Sequence, residues 1–205
     1  MSDALDRLSA SLASGGTALL PTDTVYGLAA ALESEVGVDA LYRLKDRPRS
    51  QPCQVLLLGD APREAALEAL SDHERRAAGA LLPGPSTCIV ADPAGTYARA
   101  AGEAVGSVGL RAPAMDGELA GLRLPLVATS ANEPGGPDPA TVDAVPARLR
   151  AAVSEVWDAG RLPGIASAVV DLRPLAEGAP ARLVRDGPDP AAVRAVLAGV
   201  GVALV

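Results

Sequence analysis

Apolar residues first recur at a helical interval, as Leu5, Leu8 and Leu12 in MSDALDRLSASLASGG, with Gly15 and Gly16 ending the stretch. That spacing predicts an amphipathic helix. TALL, residues 17–20, then reads as a strand running into Pro21. Val38, Leu41 and Leu44 give SEVGVDALYRLKDRP a helical face closed by the Pro48 breaker, which leaves Lys45 and Arg47 at a helix C-terminus. VLLL, residues 55–58, predicts a buried strand. Ser71 with Glu74 predicts a capping box, opening a helix that reaches Leu82 and is stopped by PGP. STCIVAD, SVGLRAP, PLVATSAN, ASAVVDL and ARLVRDG predict further short strands. Helices are expected near 114–122, near 145–153, and from an Asp189 cap with Pro190 in the first position to Gly199. Strands and helices interleave to the end, which points to an α/β sheet in one domain over 1–205 rather than a sandwich or bundle.

One stretch breaks the pattern. In GGTALLPTDTVYGLAA an apolar run stops at a proline, presents Thr22, Asp23 and Thr24, and returns to apolar residues. Buried hydroxyls and a carboxylate each demand a partner, so something must want these groups. The stretch reads as a strand end turning into a helix, with the three polar groups facing a cavity and Tyr26 packing as its wall. Other polar clusters also fall at strand ends: Lys45 with Arg47, Ser86-Thr87, Arg111, Thr129-Ser130-Ala131-Asn132, Ser167 and Arg185. Open sheets place ligands in the crevice at their strand ends, so these groups are expected to converge there.

Their chemistry is one-sided. Lys45, Arg47, Arg111 and Arg185 with many hydroxyls, and no nucleophile–base pair or carboxylate dyad, describe a site that binds anions and neutralises developing charge. Taken singly, the structural reading of each motif comes first: TSAN reads as a turn and KDRP as a helix C-terminus. No GxxxxGK[ST] or GxGxxG loop is present. The charge of −7 argues against a surface that coats a nucleic-acid backbone, so no direct stable nucleic-acid binding is expected. With three Tyr, one Trp and no Phe, stacking platforms for single-stranded bases are nearly absent. Cys53, Cys88 and the lone His73 give no disulfide or zinc spacing, and read as two core residues and a solvated helix residue. The chain lacks a membrane-length apolar stretch and a signal-peptide pattern, so a cytoplasmic protein without a membrane partner is expected.

In order, PTDTVYGLAA, YRLKDRP, LLPGPST, VGLRAPA, PLVATSAN, SAVVDL and LVRDG resemble the YrdC/Sua5 family, the L-threonylcarbamoyladenylate synthases, over about residues 8–197. The resemblance implies a YrdC-like twisted mixed sheet, flanked by helices around an open central cavity. It implies a nucleotidyltransferase that makes threonylcarbamoyl-AMP and pyrophosphate from L-threonine, bicarbonate and ATP, with Mg²⁺ accompanying ATP and no protein-held metal. That product feeds the threonylcarbamoyl-adenosine (t6A) modification of tRNA at position 37, so a threonylcarbamoyl transferase complex is the implied partner. By matching positions, Lys45 and Arg47 become the catalytic residues. Thr24, Arg111, the Ala128 backbone and Ser167 become the threonine subsite. Gln51, Ser107, Ser130, Asn132 and Arg185 join Lys45 and Arg47 around ATP.

The chain departs from the family pattern at four positions. Leu56 stands where His is usual, Ala168 where Thr follows Ser, Asp138 where Ser is usual close to the ATP phosphates, and Pro134 where Ser precedes Gly135. These departures keep a second class open: a paralogue of the same fold that binds a nucleotide, RNA or the ribosome without synthesis.

Overall fold

A computed structural model describes residues 3–205; Met1 and Ser2 of the first expected helix lie outside them. Nine strands form one mixed sheet: β1 (Thr17–Leu20), β2 (Gly27–Ala31), β3 (Gln54–Leu56), β4 (Ser86–Ala91), β5 (Ser107–Arg111), β6 (Leu126–Ser130), β7 (Glu155–Val156), β8 (Ala168–Asp171) and β9 (Arg182–Arg185). Their order across the sheet is β7-β1-β2-β6-β3-β5-β4-β8-β9. The pairs β1/β7, β3/β5 and β4/β8 are parallel and the rest antiparallel. The helices are α1 (Asp3–Ala13), α2 (Glu35–Leu44), α3 (Asp60–Glu68), α4 (Asp72–Leu81), α5 (Ala98–Ala101), α6 (Ala147–Ala152) and α7 (Pro190–Gly199).

Alternation along the strands decides what each face of the sheet meets. One set of side chains, including Leu19, Leu28, Val55, Val127, Leu110, Cys88 and Val170, packs into a large core with residues of α2, α4 and α7. The other set divides. On β1, β2, β3 and β6 it supplies Ala18, Leu20, Ala29, Leu56 and Leu126 to a smaller core beneath Leu5, Leu8 and Leu12 of α1. Farther across the sheet, on β5, β4 and β8, the same face carries Gly109, Arg111, Thr87, Ile89 and Val169, and these line a cavity instead.

The segment after the polar break is a strand, not the expected helix. GLAAA suits a helix by composition, but as β2 it is buried throughout and paired on both sides, with β1 and β6, so tertiary pairing overrides propensity. The stretch near 114–122 keeps only a 3₁₀ turn, Glu118–Gly121, behind Gly117 at φ 82°. Ser71 caps α4 as expected, accepting the Glu74 N–H at 3.4 Å. Glu74 accepts the Ser71 hydroxyl at 2.7 Å and turns its other oxygen to the Ala91 N–H at 2.8 Å, tying the helix to β4. The α2 terminus closes as a Schellman motif, with Arg47 N–H donating to Tyr42 O at 2.9 Å and Asp46 N–H to Arg43 O at 3.1 Å. The left-handed position is held by Asp46 at φ 46°, where glycine is usual. That turn aims Lys45 and Arg47 in different directions.

Candidate functional site

The cavity holds about 520 Å³, within the range of small-molecule sites. It lies across the uncovered face of the sheet rather than in a crevice at the strand ends. Its floor is a directed chain of hydrogen bonds. Arg185 donates from Nε to Ser167 O at 2.8 Å and from Nη2 to Ser167 Oγ at 3.3 Å. Ser167 Oγ lies 2.9 Å from Thr87 Oγ1, which donates to Gln54 Oε1 at 3.1 Å. Thr87 spends its single proton on Gln54, so Ser167 donates to Thr87. Gly109 of β5 lies between Thr87 and Gln54. A Cβ there would come within 3.2 Å of Thr87 Cγ2 and 3.7 Å of Gln54 Cβ, so the bare backbone lets the two side chains meet.

The polar break forms one wall. Thr22 Oγ1 donates to Val25 O at 2.7 Å and accepts the N–H groups of Thr24 and Val25, each at 3.1 Å. The Thr24 hydroxyl, 3.0 Å away, therefore donates to Thr22 and accepts from Arg111 Nη2 at 3.4 Å, which leaves it acceptor capacity toward the cavity. Arg111 is 1% exposed. Its guanidinium donates to Gly84 O, to Ser86 O and to the Asp23 carboxylate, whose second oxygen accepts the Ala114 N–H at 3.0 Å. Burial pushes the Arg111 guanidinium below the usual arginine value, while the Asp23 charge opposes that shift. Asp23 is thus the counter-ion of Arg111 and not a group facing the cavity. Tyr26 is not cavity wall either: it is fully buried, donates to Asp158 Oδ1 and Gly160 O, and accepts the Ala159 N–H.

Of the residues expected at the site, the cavity brings together Thr24, Arg47, Ser107, Arg111, Ala128, Ser130, Ser167 and Arg185. Lys45, Gln51 and Asn132 are not on its wall. Lys45 is 4% exposed, and its ammonium donates to Asn132 O and, at 3.2 Å, to Asn132 Oδ1. Ser130 Oγ donates to the same Oδ1 at 2.7 Å, and Asn132 Nδ2 to Gly136 O at 2.8 Å, so the ammonium braces the loop behind Ser130. Burial, reinforced by the Arg47 charge, lowers the Lys45 pKa. Gln51 contributes its carbonyl, which with Pro52 O accepts from Arg47 at 2.9 and 2.6 Å. Gln54 and Arg173 also line the cavity and were not singled out in the sequence. Gln54 could have been found from its i, i+2 relation to Leu56; Arg173 carried no signal.

The departures sort by position. Leu56 and Asp138 face the cavity. Ala168 is fully buried in the large core, so a hydroxyl missing there removes no group from the cavity wall. Cys88 is fully buried, which pushes its thiol up to about 12, and burial raises Cys53 as well. His73 is exposed.

An α/β protein with a guanidinium- and hydroxyl-lined cavity on the open face of a mixed sheet is the class these features define. The chain matches the Sua5/YciO/YrdC domain, described as "Telomere recombination", over residues 10–187. It is 35% identical over 153 residues to the threonylcarbamoyl-AMP synthase of Xanthomonas euvesicatoria pv. vesicatoria, covering 73% of this chain and 78% of that protein. To the threonylcarbamoyl-AMP synthase of Stenotrophomonas maltophilia it is 37% identical over 139 residues, 65% of this chain and 74% of that one. The structure of Pyrococcus abyssi Sua5 complexed with L-threonine matches with a TM-score of 0.80 at 25% identity, covering 98% of this chain but only 58% of that longer one. Escherichia coli YciO, at 20% identity and a TM-score of 0.74, shares the fold. The chain belongs to the Sua5/YciO/YrdC family.

Proposed function

We propose that this protein is a threonylcarbamoyl-AMP synthase, acting on L-threonine, bicarbonate and ATP in the first step toward t6A in tRNA. The observation that carries the reading is one cavity whose wall holds Thr24, Arg111 and Ser167 together with the cations Arg47 and Arg185. Relatives named for this activity and the L-threonine complex of Pyrococcus abyssi Sua5 support it.

The threonine amine and bicarbonate give a carbamate and water. A carbamate oxygen then bonds to the α-phosphorus as the bond to the β-phosphate bridging oxygen breaks, releasing pyrophosphate. Both reactants are anionic, so the residues must suppress repulsion and hold the pair in line. Arg111 orients the carboxylate, and Thr24 and Ser167, whose protons are already donated within the wall, accept from the substrate's donor groups. Arg47 and Arg185, whose guanidiniums are already fixed on main-chain carbonyls, meet the phosphates without reorganising. Lys45 acts as a positioning residue through Asn132 and Ser130. No group of three or more His, Cys, Asp or Glu side chains among the described residues could hold a metal ion. Mg²⁺ therefore fits here as a companion of the triphosphate, neutralising it when bound, with the phosphates as its main ligands.

Purified protein with Mg²⁺ and ATP should release pyrophosphate only when threonine and bicarbonate are both present. Folded protein that releases none overturns the assignment. Nucleotide binding indifferent to threonine would favour the binding paralogue.

A further inference from the structure

Two carboxylates beside the cavity are matched to arginines. Asp23 holds Arg111, and Asp171 holds Arg173 through two hydrogen bonds of 2.8 and 2.7 Å. Asp138 is different: it lines the cavity, it is the only carboxylate on that wall, and among the described residues it has neither a hydrogen-bond nor an ion-pair partner. A carboxylate in that position opposes the binding of any anion that Arg47 and Arg185 attract, unless a cation comes with the anion.

The backbone that carries it is fixed. Asp138 stands between Pro137 and Pro139, so the ring of Pro137 sets the entry and the residue before Pro139 is confined to extended conformations. Pro139 O accepts the Tyr26 N–H at 3.0 Å, and Gly136 O accepts from Asn132 Nδ2 at 2.8 Å, pinning the segment on both sides. The loop is thereby joined to the Ser130–Asn132–Lys45 brace on one side and to the Thr22–Tyr26 wall on the other.

We propose that Asp138 supplies the protein's one carboxylate contact, direct or through water, to the divalent cation carried on the nucleotide triphosphate. It thereby makes this chain selective for the metal complex over the free nucleotide. The inference rests on the reading of the cavity as an ATP site. It agrees with the habit of Mg²⁺ of taking one or two protein carboxylates beside substrate phosphates while keeping several waters. A Ser at this position would leave the free tetra-anion unopposed.

The test is calorimetric binding of ATP to the full chain, with Mg²⁺ in one arm and EDTA in the other, for wild type, Asp138→Asn and Asp138→Ser. Wild type should bind MgATP about tenfold or more tighter than metal-free ATP, the size expected for a repelled carboxylate against a coordinated one. Asp138→Asn should shrink that ratio to within about threefold, chiefly by tightening metal-free ATP, and Asp138→Ser should behave alike. Mn²⁺ electron paramagnetic resonance gives a second readout: with a non-hydrolysable ATP analogue, wild type should broaden the bound-Mn²⁺ signal beyond that of the free complex, and Asp138→Asn should lose that excess. If nucleotide binds but the ratio and the signal are the same in both proteins, the inference fails while the ATP site stands. If neither form of ATP binds any folded variant, the nucleotide reading fails and the inference falls with it.

Discussion

Removing the Asp23 carboxylate separates a structural account of the Arg111 pair from a decorative one. Arg111 is 1% exposed and Asp23 13%. Taking one partner from a buried pair costs about 3–5 kcal/mol, because an uncompensated charge stays behind. In Asp23→Ala, Arg111 keeps Gly84 O, Ser86 O and the Thr24 hydroxyl, which places the loss near the bottom of that range; the Ala114 N–H also loses its acceptor. The expected cost is about 3 kcal/mol, or roughly 6–12 °C in Tm for a chain of this length. Urea unfolding followed by circular dichroism should show the midpoint fall with an unchanged slope. Asp23→Ala/Arg111→Met should be more stable than Asp23→Ala alone, since the stranded charge is gone. The reasoning is refuted if Asp23→Ala costs under about 0.5 kcal/mol, or if the double variant loses the sum of both single losses.

Three further outcomes follow from local geometry. Asp46→Gly should raise stability by about 0.5–1 kcal/mol in the same assay. It relieves a left-handed residue at φ 46° and gives up only a 3.7 Å contact with Arg148, in which Asp46 is 81% exposed. Gly187→Ala should cost more than about 2 kcal/mol, because its Cβ would lie 2.2 Å from Ala168 N at φ 69°; Gly201→Ala, at φ 72° with nothing within 4 Å, should cost only about 1 kcal/mol, and equal losses in thermal melts would refute the packing argument. Arg173 holds the Asp171 carboxyl below its usual pKa. Its contribution is therefore present above the unfolded value near 4 and is lost as pH falls through the depressed native value. Asp171→Asn should flatten stability against pH below about pH 4, and superimposable acid limbs would refute it.

What was legible in the sequence was whatever a local pattern enforces. Leu5, Leu8 and Leu12 could only make one face, and the Asp189 cap, with Pro190 in the first turn, fixed the start of α7. The helix over 35–44 and its proline stop placed Lys45 and Arg47 at one terminus. What was not legible came from pairing at a distance. GLAAA has no strand signature of its own, and becomes β2 only because β1 and β6 flank it. Nothing in SVGLRAP says that Arg111 will spend its guanidinium on a carboxylate 88 residues away. Lys45 illustrates the same limit: its terminus was foreseen, but whether the ammonium faces the cavity or Asn132 is decided by where the Ser130 loop returns.

That distinction changes the electrostatic meaning of the site. Counted along the chain, Lys45, Arg47, Arg111 and Arg185 are four free cations, enough to overwhelm any anion. In the fold, Arg111 is balanced by Asp23 and Lys45 is spent on Asn132, while Arg173 joins the wall already balanced by Asp171. Two cavity guanidiniums, Arg47 and Arg185, have no carboxylate partner among the described residues, and both are anchored through main-chain carbonyls, which fix direction without cancelling charge. On the cavity wall the uncompensated positive charge is thus confined to two oriented forks, and the Asp138 carboxylate lies on the wall they share. Such a site discriminates by the arrangement of charge on the ligand more than by total charge, because Asp138 repels a bare polyanion and attracts the cation of a metal-bridged one.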